Sequence, residues 1–335
     1  MTPEPAPRSI GDEPRALGDA TLSRGNAGLA PQVARVRSIS RRLVRELDVL
    51  KGFAGRTATQ CHAILEVARA GPLAPSDVAR ELQVDRSTAT RALSPLIDEG
   101  ELRVVRDPSN ARSRPVELTA KGKRQVAELD RLADGRVAGA LSLLSFEQRE
   151  RVVEGLALYA EALRRARERA EIVLAPMRAK DGPPMTAVIR EVMPEFGATG
   201  PGTAMEDPEL DDLVSTFRRP GHAFLVARRG DEVLGGGGIA PLAGGSPEVC
   251  ELQKLYLRRE TRGLGLGRDL LSRCLSAAGE LGYRRVYLET IEEMVQARRL
   301  YESFGFSRLD QPLGDTGHFR CGAWYLLELE DDGGD

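Results

Sequence analysis

Long apolar runs are missing from this sequence. No stretch approaches the ~20 consecutive apolar residues that a membrane-spanning helix needs, so no membrane partner is expected. The opening residues, MTPEPAPRSIGDEPRALG, lack the basic-then-apolar order of a secretory leader. Their proline and glycine content predicts a disordered tail over residues 1–30. Cysteine is sparse: Cys61, Cys250, Cys274 and Cys321 lie far apart, with no CxxC pair. That argues against a disulfide framework and against a zinc centre, so no metal is expected, and a reducing cytoplasm fits. Histidine is sparser still, with three in 335 residues; His62 has no Cys–carboxylate cluster beside it to make it a ligand. Two phosphate-binding strings are also absent. GxxxxGK[ST] does not occur, and GxGxxG fails because its sixth place is Arg268 counted from Gly263 and Leu270 counted from Gly265.

What is present divides in two. The length suits two domains, and 41% hydrophobic with 29% charged residues suits a globular chain. The net charge of −2 hides an asymmetry. Residues 32–180 carry 28 Lys+Arg against 20 Asp+Glu, whereas residues 181–335 carry 17 against 26. A basic half suggests a polyanionic partner, and an acidic half suits a basic one.

From Pro31 the apolar residues Val33, Val36, Ile39, Leu43, Leu47 and Leu50 recur at helical spacing. ATQCHAILEVARAG predicts a second helix, closed by Gly71. In APSDVARELQVDRSTATRALSPLIDEG, Ser76 is placed to cap a short helix ending near Gln83, and Asp85 or Ser87 to cap another reaching Gly100. Val78, Ala79 and Leu82 face inward from the first, Ala92, Leu93, Leu96 and Ile97 from the second. Pro95 predicts a kink or an early end to the second helix. Two short helices around a tight turn make a helix-turn-helix. The second exposes Arg86, Ser87, Thr88, Thr90 and Arg91 at its N-terminal end, the end of a recognition helix that meets base edges and phosphates. ELRVVRD and RPVELTAKG then alternate as strands around PSNARS. This hairpin carries Arg106, Arg112 and Arg114 and is placed as a wing, to reach a flanking minor groove. Helix-forming sequence follows to Ala170, with Ser145 and Gln148 at capping-box spacing.

This order of elements, over about residues 32–170, resembles the MarR (multiple-antibiotic-resistance regulator) family of winged helices. At the wing tip the family reads Asp-Pro-x-Asp-Arg-Arg, and this chain has Asp107-Pro108-Ser109-Asn110-Ala111-Arg112. The resemblance implies a homodimer, interlocked by the first helix and those after the wing. Two recognition helices would then sit about one DNA turn apart, on double-stranded DNA with a palindromic operator.

No Gly/Ser tether follows; EIVLAPMR is a strand candidate immediately after Ala170. Asp181 is placed to cap DGPPMTAVIREVMPEF, and DPELDDLVSTF predicts a short helix. HAFLVARR, EVLGGGGIAPL and VCELQKLYL predict strands, then comes RGLGLGR, then the helix RDLLSRCLSAAGELG. The strand RRVYLETI, helix-then-strand VQARRLYESFGF and strand CGAWYLLEL complete the pattern. Between a strand and a helix, Arg262, Gly265 and Gly267 satisfy Arg-x-x-Gly-x-Gly. Glycines let backbone N–H groups crowd an anion, the following helix adds its positive end, and Arg262 and Arg268 add charge at the rim.

That loop resembles motif A of the GNAT N-acetyltransferase superfamily, and the likeness extends over about residues 171–331. It implies that acetyl-coenzyme A is the co-substrate, with its pyrophosphate against Gly263, Gly265 and Gly267. It implies that the preceding strand splays from its neighbour, so that the backbone of Leu255, Tyr256 and Leu257 pairs with the pantetheine arm. The segment from Ala297 to Phe306 resembles motif B, which would place Tyr301 near the thioester sulfur; Met294 stands where the family has asparagine. The implied chemistry is acyl transfer to an amine. Backbone N–H near Leu255 would stabilise the oxyanion, and Tyr301 would protonate the departing sulfur. Glu251 shares the strand face of Leu255 by alternation and is the candidate base. Glu195, Glu206 and His318 lie on loops where they could meet a cationic amine or stabilise the loop.

The sequence therefore predicts two domains. The first, residues 31–170, is a mainly α winged helix-turn-helix. The second, residues 171–331, is an α/β (α+β) acetyltransferase fold with a mixed sheet, acting on a small-molecule or peptide amine. Two other readings stay open: an acetyltransferase whose winged helix serves only dimerisation, and a regulator that senses acetyl-coenzyme A without turnover.

Overall fold

In the computed structural model, residues 29–47, 55–107, 110, 113–200, 202–318 and 320–329 are described. The predicted tail to residue 28, Leu50, and the wing-tip residues Pro108, Ser109, Ala111 and Arg112 lie outside them. The described residues fall into two units, one ending at Val153 and one beginning at Glu154.

Helix α1, Ala30–Glu46, starts with Pro31 in its first turn and buries none of its residues within the unit. Val33, Ile39 and Leu43 are exposed. Helix α2, Ala58–Ala70, begins at a capping box: the Gln60 N–H donates to Thr57 Oγ1 at 3.3 Å, and the Thr57 N–H to Gln60 Oε1 at 2.8 Å. It closes on Gly71, as predicted, with a φ of +83°.

Helix α3, Pro75–Leu82, corrects the Ser76 cap. Ala74 is the N-cap and caps with no side chain, because Pro75, with φ preset for a first turn, starts the helix two residues early. Helix α4, Arg86–Asp98, is capped by Asp85, whose carboxylate accepts from the Thr88 N–H at 2.8 Å. Pro95 does not end it; the Glu99 N–H still bonds the Pro95 carbonyl at 2.9 Å. The carbonyl that Pro95 leaves without a partner belongs to Arg91, an exposed residue, where water can take up the lost bond.

Ile64 and Val67 from α2, Val78 from α3 and Ala89, Leu93 and Leu96 from α4 form one core. Leu102 and Val116, from strands β1 (Leu102–Val104) and β2 (Val116–Leu118), close it from the hairpin. The two strands pair antiparallel, Leu102 opposite Leu118. Buried Glu101, at the base of the hairpin, accepts from Arg56 Nε at 3.1 Å. Helix α5, Ala120–Leu141, packs so closely there that a Cβ on Gly122 would lie 2.2 Å from the Glu101 carbonyl oxygen. Helix α6 spans Phe146–Ala170, and Ser145 and Gln148 form its predicted capping box.

The second unit is a seven-stranded mixed sheet. In chain order it contains β3 (Ile172–Pro176), α7 (Gly182–Val192), α8 (Leu213–Thr216), β4 (Ala223–Arg229) and β5 (Glu232–Pro241). Then come β6 (Val249–Leu257), α9 (Leu266–Glu280), β7 (Arg285–Thr290), α10 (Val295–Ser303), β8 (Ser307–Leu309) and β9 (Ala323–Glu328). The strand order is β3-β4-β5-β6-β7-β9-β8, and every pair is antiparallel except β6–β7. The sheet separates two cores. On one face Met185, Val188, Ile189 and Val192 of α7 meet Phe224 and Val226. On the other, Leu271 and Cys274 of α9 meet Ile239, Leu252, Val286 and Tyr325.

One predicted cap fails here as well. The Asp181 side chain does not cap α7. It is 1% exposed and accepts instead from the Arg178 N–H at 2.8 Å, from Arg178 Nη2 at 3.0 Å, and from Arg228. Two guanidinium groups outcompete a helix end for a buried carboxylate, because charge-assisted bonds are the stronger ones. Among the described residues, no helix is long and apolar enough to cross a membrane.

Candidate active site and nucleic-acid interface

Strand β6 pairs with β7 over only three residues, Val249 to Glu251, opposite Arg285 to Tyr287. It stays paired with β5 as far as Leu257. From Leu252 onward its other edge is thus open, as the predicted splay requires, and Leu255, Tyr256 and Leu257 lie on that open stretch. A β-bulge shapes it. Gly238 faces Gln253 and Gly236 faces Tyr256, so Lys254 and Leu255 together stand opposite Gly237. Lys254 takes the left-handed φ of +57°, uncommon for a residue with a side chain.

The bulge corrects one expectation. Glu251 and Leu255 do not share a face. An extra residue in a strand shifts the alternation of everything after it, and Leu255 packs with Leu252 and Leu271 on the α9 side, the side from which Glu251 points away. Glu251 nevertheless lines a cavity together with Leu255, Tyr256 and Tyr301.

The loop after β6 turns twice through left-handed glycines, Gly263 at φ +80° and Gly265 at φ +79°. Gly265 is the N-cap of α9 and supplies no side chain to its first turn, so the first N–H groups of that helix are left for another acceptor. Gly267 lies inside the helix, where a Cβ would make ordinary contact with Leu300. Arg262 donates from Nε to the Leu257 carbonyl at 3.1 Å and from Nη1 to Glu195 at 2.7 Å, and its guanidinium lies 5.3 Å from the Phe196 ring centroid. Its Nη2 is buried with no hydrogen-bond partner among the described residues. Arg268 rests over Phe304 at 5.0 Å and donates to Ser303 at 3.1 Å. An open strand edge, an uncapped helix start and an unmet guanidinium donor are what a diphosphate on an extended arm would need.

Glu251 is 4% exposed, and Gln253 donates to its Oε2 at 2.6 Å. Burial pushes its carboxyl up to about 7, against the opposing pull of Gln253 and His318. Tyr301 is 6% exposed, packed near Phe306 and Tyr325; burial raises its phenol further, so the hydroxyl keeps its proton. Of the three loop residues predicted near the acceptor, His318 alone lines the cavity. Its Nε2 is hydrogen-bonded to Asp207 at 3.0 Å, and that bond raises its pKa. Glu195 is held by Arg262, and Glu206 is exposed.

Residues missed in the sequence gather around His318. Asp207 also takes the ammonium of Lys254, whose side chain is 2% exposed. Glu289 and Cys321 line the same cavity, and burial with nearby carboxylates pushes the Cys321 thiol up to about 12. The bulge turns Lys254 inward, and no sequence pattern marks it. The His318-x-x-Cys321 spacing was the one available signal.

In the first unit, Arg86, Ser87, Thr90 and Arg91 are exposed along the start of α4, and Thr88 is half-buried. The hydroxyls are engaged locally. Ser87 and Thr88 donate to Asp85, and Thr90 donates to the Arg86 carbonyl at 2.9 Å. Arg91 reaches Thr88 Oγ1 at 3.1 Å. Arg106 and Arg114 are exposed on the hairpin stems.

Residues 185–306 match the Acetyltransferase (GNAT) family, and residues 54–113 match the MarR family. The uncharacterized N-acetyltransferase YjgM of Escherichia coli is 42% identical over 47% of this chain and 95% of its own length. The Salmonella typhimurium protein yncA, solved with its cofactor acetyl-CoA, is 18% identical at a TM-score of 0.41, covering 49% of this chain and 96% of that one. The Bordetella bronchiseptica protein BpsR, whose DNA binding is regulated by 6-hydroxynicotinic acid, is 23% identical at a TM-score of 0.33, covering 38% of this chain and 98% of its own.

Proposed function

We infer that this chain, which belongs to the GNAT acetyltransferase family and carries a MarR-family winged-helix domain, moves an acetyl group from acetyl-coenzyme A to an amine and binds duplex DNA as a regulator. The observation that carries the enzymatic half is the opening of β6 from β7 beside an uncapped, glycine-turned helix start. The residues present fit the co-substrate. Gly263, Gly265 and the first N–H groups of α9 hold its diphosphate, with Arg262 Nη2 as a further donor. The free backbone edge of Leu255, Tyr256 and Leu257 pairs with its amide-bearing arm.

Acetyl-coenzyme A supplies the thioester carbonyl that the amine attacks. The carboxylate of Glu251 takes a proton from the incoming ammonium, directly or through one water. A backbone N–H at the bulge, near Leu255, meets the negative charge that develops on the carbonyl oxygen. Tyr301, whose phenol stays protonated, returns a proton to the departing sulfur. Burial shifts both groups in the same direction, upward: it brings the Glu251 carboxylate into the range of a base and keeps the proton on the Tyr301 phenol until the sulfur takes it.

In the first unit, α4 enters the major groove with Arg86 and Arg91, and Arg106 and Arg114 stand on the hairpin that reaches the flanking groove. A homodimer on a palindromic operator matches this reading. Release of coenzyme A thiol is measured with a panel of small-molecule and peptide amines, with and without DNA. Amine-dependent release supports transfer, whereas tight acetyl-coenzyme A binding with no release across the panel leaves a sensor in its place.

A further inference from the structure

Glu289, His318 and Cys321 bring a carboxylate oxygen, an imidazole nitrogen and a thiol sulfur within 4.8 Å of one another. The acyl-transfer reading gives none of them a chemical step. Their surroundings set them apart from a chance cluster. Glu289 Oε1 is occupied, accepting from the Tyr287 hydroxyl at 2.7 Å and the Thr316 hydroxyl at 2.9 Å. Its Oε2 is buried with no hydrogen-bond partner among the described residues, on a side chain 3% exposed. A buried carboxylate oxygen whose nearest donors are only a weak thiol, on Cys321, and a ring nitrogen at 3.8 Å is poorly satisfied unless a cation takes it up. His318 Nε2 is engaged by Asp207 at 3.0 Å, while its Nδ1 faces Glu289 Oε2 at 3.8 Å. A carboxylate on the far ring nitrogen is the arrangement that fixes the tautomer and orientation of a metal-ligating imidazole, and a second bond to the ligating carboxylate does the same for Glu289.

We propose that Glu289 Oε2, His318 Nδ1 and Cys321 Sγ bind a divalent cation of borderline softness, of which Zn²⁺ is the type. Bonds of about 2.0–2.3 Å in tetrahedral array place neighbouring ligand atoms about 3.3–3.7 Å apart. The imidazole and carboxylate, 3.8 Å apart, already come close to that spacing, and the ligand atoms, all within 4.8 Å of one another, close by about 1.5 Å at most. One oxygen, one nitrogen and one sulfur donor favour zinc over magnesium or calcium, which want oxygen alone. Three protein ligands leave a fourth position open. The charges nearby agree: Asp207, Glu251 and Glu289 line or adjoin the cavity, and Lys254, the nearby ammonium, is already paired with Asp207. The proposal stands apart from the transferase reading, because the ligands are not the groups that carry the proton transfers.

The test titrates untagged, metal-free full-length protein with Zn²⁺ and with Co²⁺. The expected result is one ion per chain and, with Co²⁺, a sulfur-to-metal charge-transfer band in the near ultraviolet. Cys321→Ser should abolish that band and weaken Zn²⁺ binding at least about tenfold. Glu289→Gln should keep the band and weaken binding. The proposal is overturned if the wild-type chain binds no stoichiometric ion, as it would if Glu289 Oε2 served only an ammonium group. It is equally overturned if the band survives in Cys321→Ser, or if a folded Glu289→Gln binds like wild type. Should Glu289→Gln fail to fold, the Cys321→Ser comparison decides alone.

Discussion

Glu251 has a carboxyl whose burial pushes it up to about 7, and the direction of that shift sets a pH profile. A base works only when deprotonated, so in the metal-free enzyme kcat/KM should climb as pH rises through about 7 and level off above it. Glu251→Gln should lose that rise and lower the rate by about 10²–10⁴; an unchanged profile in the variant assigns the proton to another group. Tyr301→Phe removes a hydroxyl and nothing else from a packed ring. It should lower kcat by about 10²–10⁴ while leaving the calorimetric affinity for acetyl-coenzyme A unchanged, and a variant that instead loses affinity with kcat intact would make Tyr301 a binding residue.

Single elements carry the two halves of the account. Helix α4 has an inner face, with Leu93 2% exposed in the core, and an outer face of arginine. Leu93→Ala should cost about 2–5 kcal/mol by denaturant unfolding. Arg91→Ala should leave stability alone, weaken DNA binding and reduce the salt slope of log K by about 0.9; a slope equal to wild type removes Arg91 from the interface. Helices and strands were legible in the sequence because caps, periodicity and turn residues are local. The exceptions, Ser76 and Asp181, are each one plausible cap overruled, by a proline beside it in one case and by two arginines in the other. Strand β6 shows the limit more sharply. Alternation placed Glu251 with Leu255, and one left-handed lysine between them, Lys254, undid it. Nothing in VCELQKLYL marks Lys254 for that conformation, because the close register with glycine-rich β5 imposes it.

At the scale of the molecule, the basic stretch, residues 32–180, contains the helix-turn-helix, and the acidic stretch, residues 181–335, contains all of the transferase sheet except β3; the two units divide earlier, between Val153 and Glu154. The glycine loop was readable because its residues are neighbours in the chain. The cavity was readable only in part: Asp207, Glu251, Lys254, Glu289, His318 and Cys321 come from distant segments, and only folding makes their charges interact. The account rests on the loop and the open edge of β6 receiving the co-substrate, and calorimetric titration of acetyl-coenzyme A into the wild-type chain and Gly265→Glu tests that most directly. Gly265 has open space around it at φ +79°, so a side chain there brings backbone strain and, as glutamate, a like charge against the diphosphate. The account predicts one site per wild-type chain and no measurable heat of binding for a folded Gly265→Glu; equal binding by the two proteins would contradict it.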